Sequence, residues 1–279
     1  MGVLLALVSA LCYGSSDFAA GLGGRRGDPA AVAVVAQPFG LVAAAIAVVV
    51  LSGRSPTAGD LWWGALSGVG SGVGTVALYR GLTVASMSVV APLSAVLSAA
   101  IPALTGLLIG ERLAPLAWAG VVIALPAVAL VSLAPASDSG SRKAGMVTGV
   151  IAGAGFALLF IGLDRAGTAA GGWPLLPGQA VALTLVSAWL VLPGNRPDRS
   201  AWAATWRAGT VTGVLGGVAN IAYLAATGAA PLAVVAVVTA LYPAMTVLLA
   251  RFTLHERWSR LQALGLLVSA AAVAAISAG

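Results

Sequence analysis

The chain has 279 residues, of which 60% are hydrophobic and only 8% are charged, and its formal net charge is +6. Soluble domains carry about 25% charged residues, so the composition excludes an ordinary water-soluble fold. The basic residues stand singly or in pairs between apolar runs, which favours membrane-flanking anchors over a nucleic-acid-binding patch. A mean hydropathy of +1.03 predicts a multi-pass membrane protein. The single cysteine, Cys12, excludes an intramolecular disulfide.

Ten apolar segments follow one another along the chain, each close to the roughly 20 residues that a membrane-spanning helix needs. We expect helices because a lone strand in lipid leaves its backbone groups unpaired. The first segment has no basic region ahead of it, so we interpret it as a retained span rather than a signal peptide. The predicted spans are residues 2–22, 30–51, 61–81, 86–109, 115–134, 145–164, 173–193, 208–227, 231–254 and 259–278.

Residues 64–132 and 209–277 repeat one another: at an offset of 145, without gaps, 21 of the 69 pairs are identical. Chance would give roughly seven in so biased a composition, so the duplication is interpreted as real. Each copy belongs to a half with an odd number of spans, which inverts the second half relative to the first. We therefore predict an all-α integral membrane fold of two inverted five-helix repeats, residues 1–135 and 145–279, joined by a linker at 136–144.

The distribution of lysine and arginine predicts an orientation. Loops on the side reached after the first span carry eleven basic residues, and the opposite loops carry three: Arg54, Arg112 and Arg165. By the positive-inside rule, this count places both termini outside the cytoplasm. The eleven are Arg25, Arg26, Arg80, Arg142, Lys143, Arg196, Arg199, Arg207, Arg251, Arg257 and Arg260.

The repeat carries motifs that resemble a known family. Ala-Leu-Tyr-Arg-Gly-Leu82 leads to Gly-Glu-Arg-Leu113, and the second copy of that turn reads His-Glu-Arg-Trp258. Tyr13-Gly-Ser-Ser-Asp-Phe18 is similar to a Trp-Gly-x-Asn-Phe pattern on the first helix of that family. The chain thus resembles the drug/metabolite transporter superfamily, specifically its EamA-like ten-helix members. The resemblance implies export of amino acids or other metabolites by exchange or proton coupling, and cytoplasmic termini, contrary to the charge count. We expect it in the cytoplasmic membrane of a prokaryote.

Two stripes of glycines occupy equivalent positions in the two copies. Glycines four residues apart clear one face of a helix, so that another backbone can approach closely. We predict tight helix packing there, with a sliding surface between the halves as the alternative. The stripes are Gly64, Gly68 and Gly72 on the third span and Gly209, Gly213 and Gly217 on the eighth.

Polar side chains within the spans are costly in lipid and tend to face a cavity or a polar partner. Gln37 and Gln179 lie at equivalent places in the two halves, and Asn220 pairs with Thr75 in the repeat. We predict that a polar set converges on a central substrate cavity; interhelical hydrogen bonding is the alternative for each. The candidates for substrate binding are Gln37, Thr75, Tyr79, Ser94, Ser98, Gln179, Asn220, Tyr223, Thr239 and Tyr242.

Asp17 is the one acidic residue placed well inside a predicted span. Arg80 ends the third span on the same side of the membrane, so the two could form an ion pair that lowers the cost of both charges. The functional alternative is a carboxylate that takes up and releases a proton and couples transport to a gradient.

The Glu-Arg pairs, Glu111-Arg112 and Glu256-Arg257, occupy the turns after the fourth and ninth spans. We expect each glutamate to cap the N-terminal amides of the helix that follows, and each arginine to anchor at the interface. A gating role is the alternative.

The leading functional hypothesis is a secondary transporter for a small neutral or zwitterionic metabolite, with the bilayer and that substrate as its partners, no nucleic acid, no cofactor and no metal. A membrane-embedded lipid enzyme would need grouped carboxylates or histidines, and His255 is the only histidine. A flippase for a lipid-linked substrate stays open as an alternative. A channel is disfavoured because the sequence shows no filter-like loop or charged ring.

Overall fold

The structure is a computed structural model that describes residues 1–84, 87–132, 141–192, 199–255 and 259–279. Glu256, Arg257 and most of the predicted linker lie outside the described residues. The described residues form eleven helices: α1 (Gly2–Arg26), α2 (Pro29–Val50), α3 (Ala58–Val84), α4 (Met87–Leu108), α5 (Pro115–Ser132), α6 (Arg142–Ala166), α7 (Leu175–Val191), α8 (Arg199–Thr227), α9 (Leu232–Thr239), α10 (Tyr242–Leu254) and α11 (Arg260–Ala278).

The ends of the helices follow from local sequence. Asp28 precedes α2 and its side chain accepts a hydrogen bond from the Ala30 amide at 2.7 Å, while Pro29 occupies a first-turn position that needs no N–H. Ser259 and Gln262 form a reciprocal capping box at the start of α11. These short polar turns separate the apolar segments close to where the sequence predicts them.

One predicted span differs from the structure. Residues 231–254 were expected to form a single helix, but α9 ends at Thr239 and α10 begins at Tyr242. Pro243 has no N–H, so the Thr239 carbonyl lacks its usual partner four residues on. The chain instead makes tighter bonds, from the Leu241 amide to the Val238 carbonyl at 3.2 Å and from the Ala244 amide to the Leu241 carbonyl at 2.9 Å. The ninth span is therefore a broken helix.

In the described part of the chain, eight helical segments are long and apolar enough to cross a membrane, with α9 and α10 taken together as one of them. The two other predicted spans do not meet that description: α7 is apolar but has only 17 residues, and α3 is not among the eight. The third span carries Ser71, Thr75 and Arg80 among its glycines, which lowers its hydropathy. The protein is a multi-pass integral membrane protein.

The two halves pack against each other, and equivalent helices of the two halves make equivalent contacts. Helices of the first half, α1 to α5, make their most extensive contacts with helices of the second half, α6 to α11. Helix α3 packs on α6 and α7, while α8, its counterpart in the repeat, packs on α1 and α2; α5 packs on α11. The core therefore lies between the halves rather than inside either one.

The glycine stripes make two of these contacts possible. A methyl group at Gly68 would collide with the backbone of Gly178 on α7, and one at Gly64 with that of Pro174. A methyl group at Gly213 would collide with the Ala36 carbonyl on α2. Both stripes thus mark places where backbones from different halves touch, as expected for closely packed membrane helices.

An ion pair fixes the loop between α2 and α3. Arg54 donates to both carboxylate oxygens of Asp60, at 2.7 and 3.0 Å, and the amide and hydroxyl of Thr57 donate to the same carboxylate at 2.7 and 2.8 Å. The Arg54 guanidinium and the Thr57 donors hold the pKa of Asp60, in the first turn of α3, well below its usual value. The Arg54 amide also donates to the Ala169 carbonyl at 2.9 Å, which ties this loop to the one after α6.

Candidate functional site

A cavity of about 150 Å³ lies at the centre of the bundle, between the two halves. Its walls come from α1, α2 and α3 of the first half and from α6, α7, α8 and α10 of the second. Membrane transporters of repeat architecture place their substrate sites at such an interface between repeats. A cavity of this order is large enough to hold a small organic molecule.

Six of the ten residues predicted to bind substrate line this cavity, together with Asp17. Both glutamines of the repeat line the cavity, and the Gln179 amide group lies where a side chain at Gly40 would stand. The structure thus brings together polar side chains from five helices, although their role in binding remains a prediction. The six residues are Gln37, Thr75, Tyr79, Gln179, Asn220 and Tyr242.

The four other candidates do not line the cavity. Ser98 donates its hydroxyl to the Ala95 carbonyl of its own helix at 2.9 Å, and Thr239 donates to the Ala6 carbonyl on α1 at 3.5 Å. Ser94 and Tyr223 are packed in the core, and within the described residues neither hydroxyl has a hydrogen-bond partner. All four side chains are buried in the core of the structure, and their role in substrate binding stays a prediction.

The predicted ion pair between Asp17 and Arg80 is not formed: the structure joins neither side chain to the other, although both are described. Asp17 lines the cavity with an exposed side chain, whereas Arg80 lies outside the lining. In the described part of the chain, the Asp17 carboxylate makes no hydrogen bond or ion pair. Helix α3 makes its most extensive contacts with α6 and α7 rather than with α1, which carries Asp17.

An aromatic wall, formed by Tyr13, Phe160 and Tyr242, stands beside Asp17. The ring centres of Phe160 and Tyr242 lie 6.2 and 6.3 Å from that of Tyr13. The Tyr13 hydroxyl donates to the Asn220 side-chain oxygen at 2.5 Å, which fixes both groups across the interface of α1 and α8. The aromatic wall is therefore packed and hydrogen-bonded on the side where Asp17 meets the cavity.

Sequence reasoning missed Tyr13, Ser16, Ser71, Thr212 and the two phenylalanines, Phe156 and Phe160, as lining residues. A signal for two of them was present. Tyr13 lies four residues before Asp17, and Ser71 lies four before Thr75, which lies four before Tyr79. Residues at this spacing share one helical face. Asp17 therefore pointed to Tyr13 as a further lining residue, and Thr75 and Tyr79 pointed to Ser71.

Glu111 caps a helix, but not the one expected. Its carboxylate accepts hydrogen bonds from the backbone amides of Leu232 at 2.6 Å and Ala233 at 3.0 Å, at the start of α9 rather than α5. A side chain at Gly106 would occupy the place of this carboxylate. A negative charge at a helix N-terminus is favourable, so Glu111 anchors the second half to the first.

The comparisons with known proteins agree with this architecture. The sequence pattern of the EamA-like transporter family matches residues 1–133 and 143–278, and so covers nearly the whole chain in two repeats. The chain belongs to the EamA-like transporter family. This EamA-like protein is therefore a membrane transporter of the drug/metabolite transporter type. No match was found among curated proteins.

Eighteen chains of solved structures match this EamA-like transporter. One of them, described only as a crystal structure of a protein, superposes with a TM-score of 0.73 at 17% identity and covers 99% of this chain and 98% of its own. At that identity the match shows the fold alone. No cluster of potential metal ligands occurs among the described residues.

Proposed function

We propose that this protein is a secondary transporter that moves a small organic metabolite across the cytoplasmic membrane of a prokaryote by alternating access. The observation that carries the proposal is the central cavity, walled by both halves and lined by polar side chains in an otherwise apolar bundle. A substrate at such a place is reachable from one side and then the other when the halves rock against each other. The sequence carries no nucleotide-binding loop, so the energy comes from a gradient or a counter-substrate.

The proposed architecture is ten membrane spans arranged as two inverted five-helix repeats, residues 1–135 and 145–279. It is supported by the exchanged contacts between the halves, in which α3 and α8 play equivalent parts. Helices α9 and α10 together make the ninth span in this scheme. Discontinuous helices of this kind recur at the binding sites of transporters, and Tyr242, the first residue of α10, lines the cavity.

The cavity reaches to both sides of the middle of the bundle. Asp17, Gln37 and Tyr79 lie in the halves of their helices nearest the α1–α2 turn, and Gln179 and Asn220 lie in the halves nearest the opposite end. At the opposite end, Glu111 holds α9, and all eight residues of α9 are buried. We therefore assign this conformation to the state in which the cavity opens towards the end that carries Arg25 and Arg26. The charge count places that end in the cytoplasm, whereas the family resemblance places the opposite end, with the two termini, there.

Asp17 is the proposed coupling residue. It is the acidic group of the cavity wall, and no ion pair in the described residues holds its charge. A carboxylate in this position can bind a proton in one state and release it in the other, so that proton movement drives export. Arg80, which the sequence pairs with Asp17, has no such role in the proposal.

The test is transport by proteoliposomes of the purified protein, with a mixed pool of labelled amines, amino acids and neutral metabolites and with or without an imposed pH gradient. We expect saturable accumulation of at least one compound, and we expect Asp17→Asn to abolish its response to the gradient. An unchanged response in the variant would remove Asp17 from coupling. Absence of uptake for the whole pool, with lipid-linked substrates moved instead, would favour the flippase alternative.

A further inference from the structure

The charge on the described cavity wall is negative and has no positive counterpart there. Among the described residues that line it, Asp17 is the only charged side chain, and neither lysine nor arginine is present. Its carboxylate is exposed to the cavity and has no ion pair there. A carboxylate removed from bulk water without a positive partner is unfavourable, so an occupant that brings a positive charge would be bound preferentially.

We propose that the cavity binds a small organic cation, an amine or a quaternary ammonium compound, whose positive group lies between the Asp17 carboxylate and the rings of Tyr13 and Tyr242. The inference rests on the proposed function for the claim that the ligand is transported, but not for the claim that it binds. It departs from the neutral or zwitterionic substrate predicted from the sequence and proposes a cationic one in its place.

The aromatic wall supplies the second half of the recognition. Aromatic faces attract ammonium groups, most strongly where water is excluded. Tyr13, Tyr79 and Tyr242 are all close enough to Asp17 to interact electrostatically with it. Since the Tyr13 hydroxyl is already bonded to Asn220, its ring is held in place before a ligand arrives. A ring that is already held in place reduces the entropic cost of binding.

The rest of the lining suits a ligand that is uncharged apart from its positive group. Gln37 and Gln179 offer amide donors and acceptors, and Phe156 and Phe160 offer apolar surface. A ligand carboxylate would find no positive group in the described lining and would stand near Asp17. The cavity therefore disfavours amino acids relative to the amines that share their side chains.

Binding to Asp17 also sets a pH dependence. The titratable groups that face this carboxylate are the phenols of Tyr13, Tyr79 and Tyr242, with the Cys12 thiol next to Tyr13 in the chain. Phenols and thiols are neutral in acid solution, so protonation of Asp17 alone changes the charge of the site there. A proton and an ammonium group compete for the one carboxylate, and cation affinity falls as the pH is lowered.

The experiment measures equilibrium binding to the full-length protein in lipid nanodiscs. The probes are phenethylamine, phenylalanine and 2-phenylethanol, which share a ring and differ in charge, with tetramethylammonium as a compact quaternary cation. We expect at least one of the two cations to bind at least tenfold more tightly than the zwitterion and the alcohol, and to weaken in acid. Equal or tighter binding of phenylalanine or 2-phenylethanol, or no binding of either cation, would overturn the inference.

Variants locate the site. Asp17→Asn should weaken cation binding at least tenfold and leave binding of 2-phenylethanol unchanged, while Asp17→Glu should restore part of the loss. Asp164→Asn is the matched control. Asp164 is an acidic residue of α6, and its side chain does not line the cavity. Tyr242→Leu should weaken cation binding about two- to thirtyfold, and Tyr242→Phe should not. Cation binding unaffected by Asp17→Asn and Tyr242→Leu, in protein that remains monodisperse, would place the ligand elsewhere.

Binding and transport can fail separately. Cation binding without flux in proteoliposomes would leave the inference standing and contradict the proposed transport. Uptake of phenylalanine without any cation binding would contradict the inference and leave a transporter.

Discussion

Helices α9 and α10 belong to one predicted span, yet they lie in different surroundings. All eight residues of α9 are buried, and none of the thirteen residues of α10 is. Glu111 from the other half holds the start of α9, whereas α10 begins at Tyr242 on the cavity wall. The difference shows that one apolar segment serves two tasks: its first part closes one end of the bundle, and its second part borders the open space.

The repeat partner of this span takes a different form. Helix α4 is continuous from Met87 to Leu108, although Pro92 and Pro102 lie inside it. At the position of Pro243, α4 has Ser98, whose hydroxyl donates to the Ala95 carbonyl. At this position of the repeat, the backbone is thus continuous helix in the first half and broken between two helices in the second.

The largest predicted effect comes from closing the space between α1 and α10. At Gly14 a Cβ would collide with the Tyr242 carbonyl and would lie 2.6 Å from the Met245 Cβ. We expect Gly14→Val to lower the free energy of unfolding by roughly 3 kcal/mol, because backbone atoms cannot move aside cheaply. The measurement is thermal unfolding in detergent.

Gly21 provides the control for that change. It lies on the same helix, and a Cβ there would meet nothing within 4 Å. Gly21→Ala should be neutral or stabilise by up to about 1 kcal/mol, through helix propensity alone. Equal losses in both variants would mean that α1 does not depend on its contact with α10.

The second prediction addresses the anchored end. Glu111→Ala removes the acceptor of the Leu232 and Ala233 amides, and we expect a loss of about 2 kcal/mol in stability, since bonds to a charged acceptor are among the stronger ones. Glu111→Gln keeps an acceptor and should lose less. Hydrogen exchange of these two amides, measured by mass spectrometry, should rise in the alanine variant. Unchanged exchange would show that α9 is held by its packing alone.

The third prediction asks whether Pro243 makes the break. Pro243→Ser gives the position the residue of its repeat partner and restores an N–H that can reach the Thr239 carbonyl. We expect hydrogen exchange across residues 239–245 to slow and the two helices to join, with a smaller change in overall stability. Exchange as fast as in the natural sequence would mean that packing, and not the proline, separates α9 from α10.

The smallest effect is expected at the Arg54–Asp60 pair, which lies at the same end as Glu111 but does not touch α9. The pKa of Asp60 is lowered on folding, so the ionised pair contributes its full stabilisation above the ordinary carboxyl pKa of about 4. The contribution declines below that pH and is lost only as the pH falls through the much lower pKa of the folded state. Asp60→Asn should therefore lower the unfolding temperature at pH 7 and lower it by a smaller amount at pH 3. A difference in unfolding temperature that does not narrow between pH 7 and pH 3 would show that the charge is not the source.

Much of the fold could be predicted from hydropathy and the repeat. Helix positions came out within a few residues for most spans, because an apolar run between polar turns has one stable form in lipid. The start of α8 at Arg199 was missed, since a helix can continue past the apolar run that marks the span. The break at Ala240 was missed because a single proline near the start of a turn does not reveal which carbonyl it releases.

The candidate site was predicted less completely, and the residues show why. Gln37, Gln179 and Asn220 were found because amides are rare in this chain and recur at equivalent places. Tyr223 was predicted to bind substrate, but it is stacked on Phe160 with ring centres 4.5 Å apart and is fully buried. Tyr13, which was not predicted, borders the cavity together with Tyr79 and Tyr242.

The sequence by itself determined the class of the protein, its helical segments, its duplication and its family, because these depend on composition and order along the chain. Only the tertiary structure decided which polar groups face the cavity, that Glu111 caps α9, and that Asp17 stands apart from Arg80. The physical reason is that these helices are apolar on every face, so no amphipathic pattern fixes their rotation. Close contacts at glycines between the halves fix it instead.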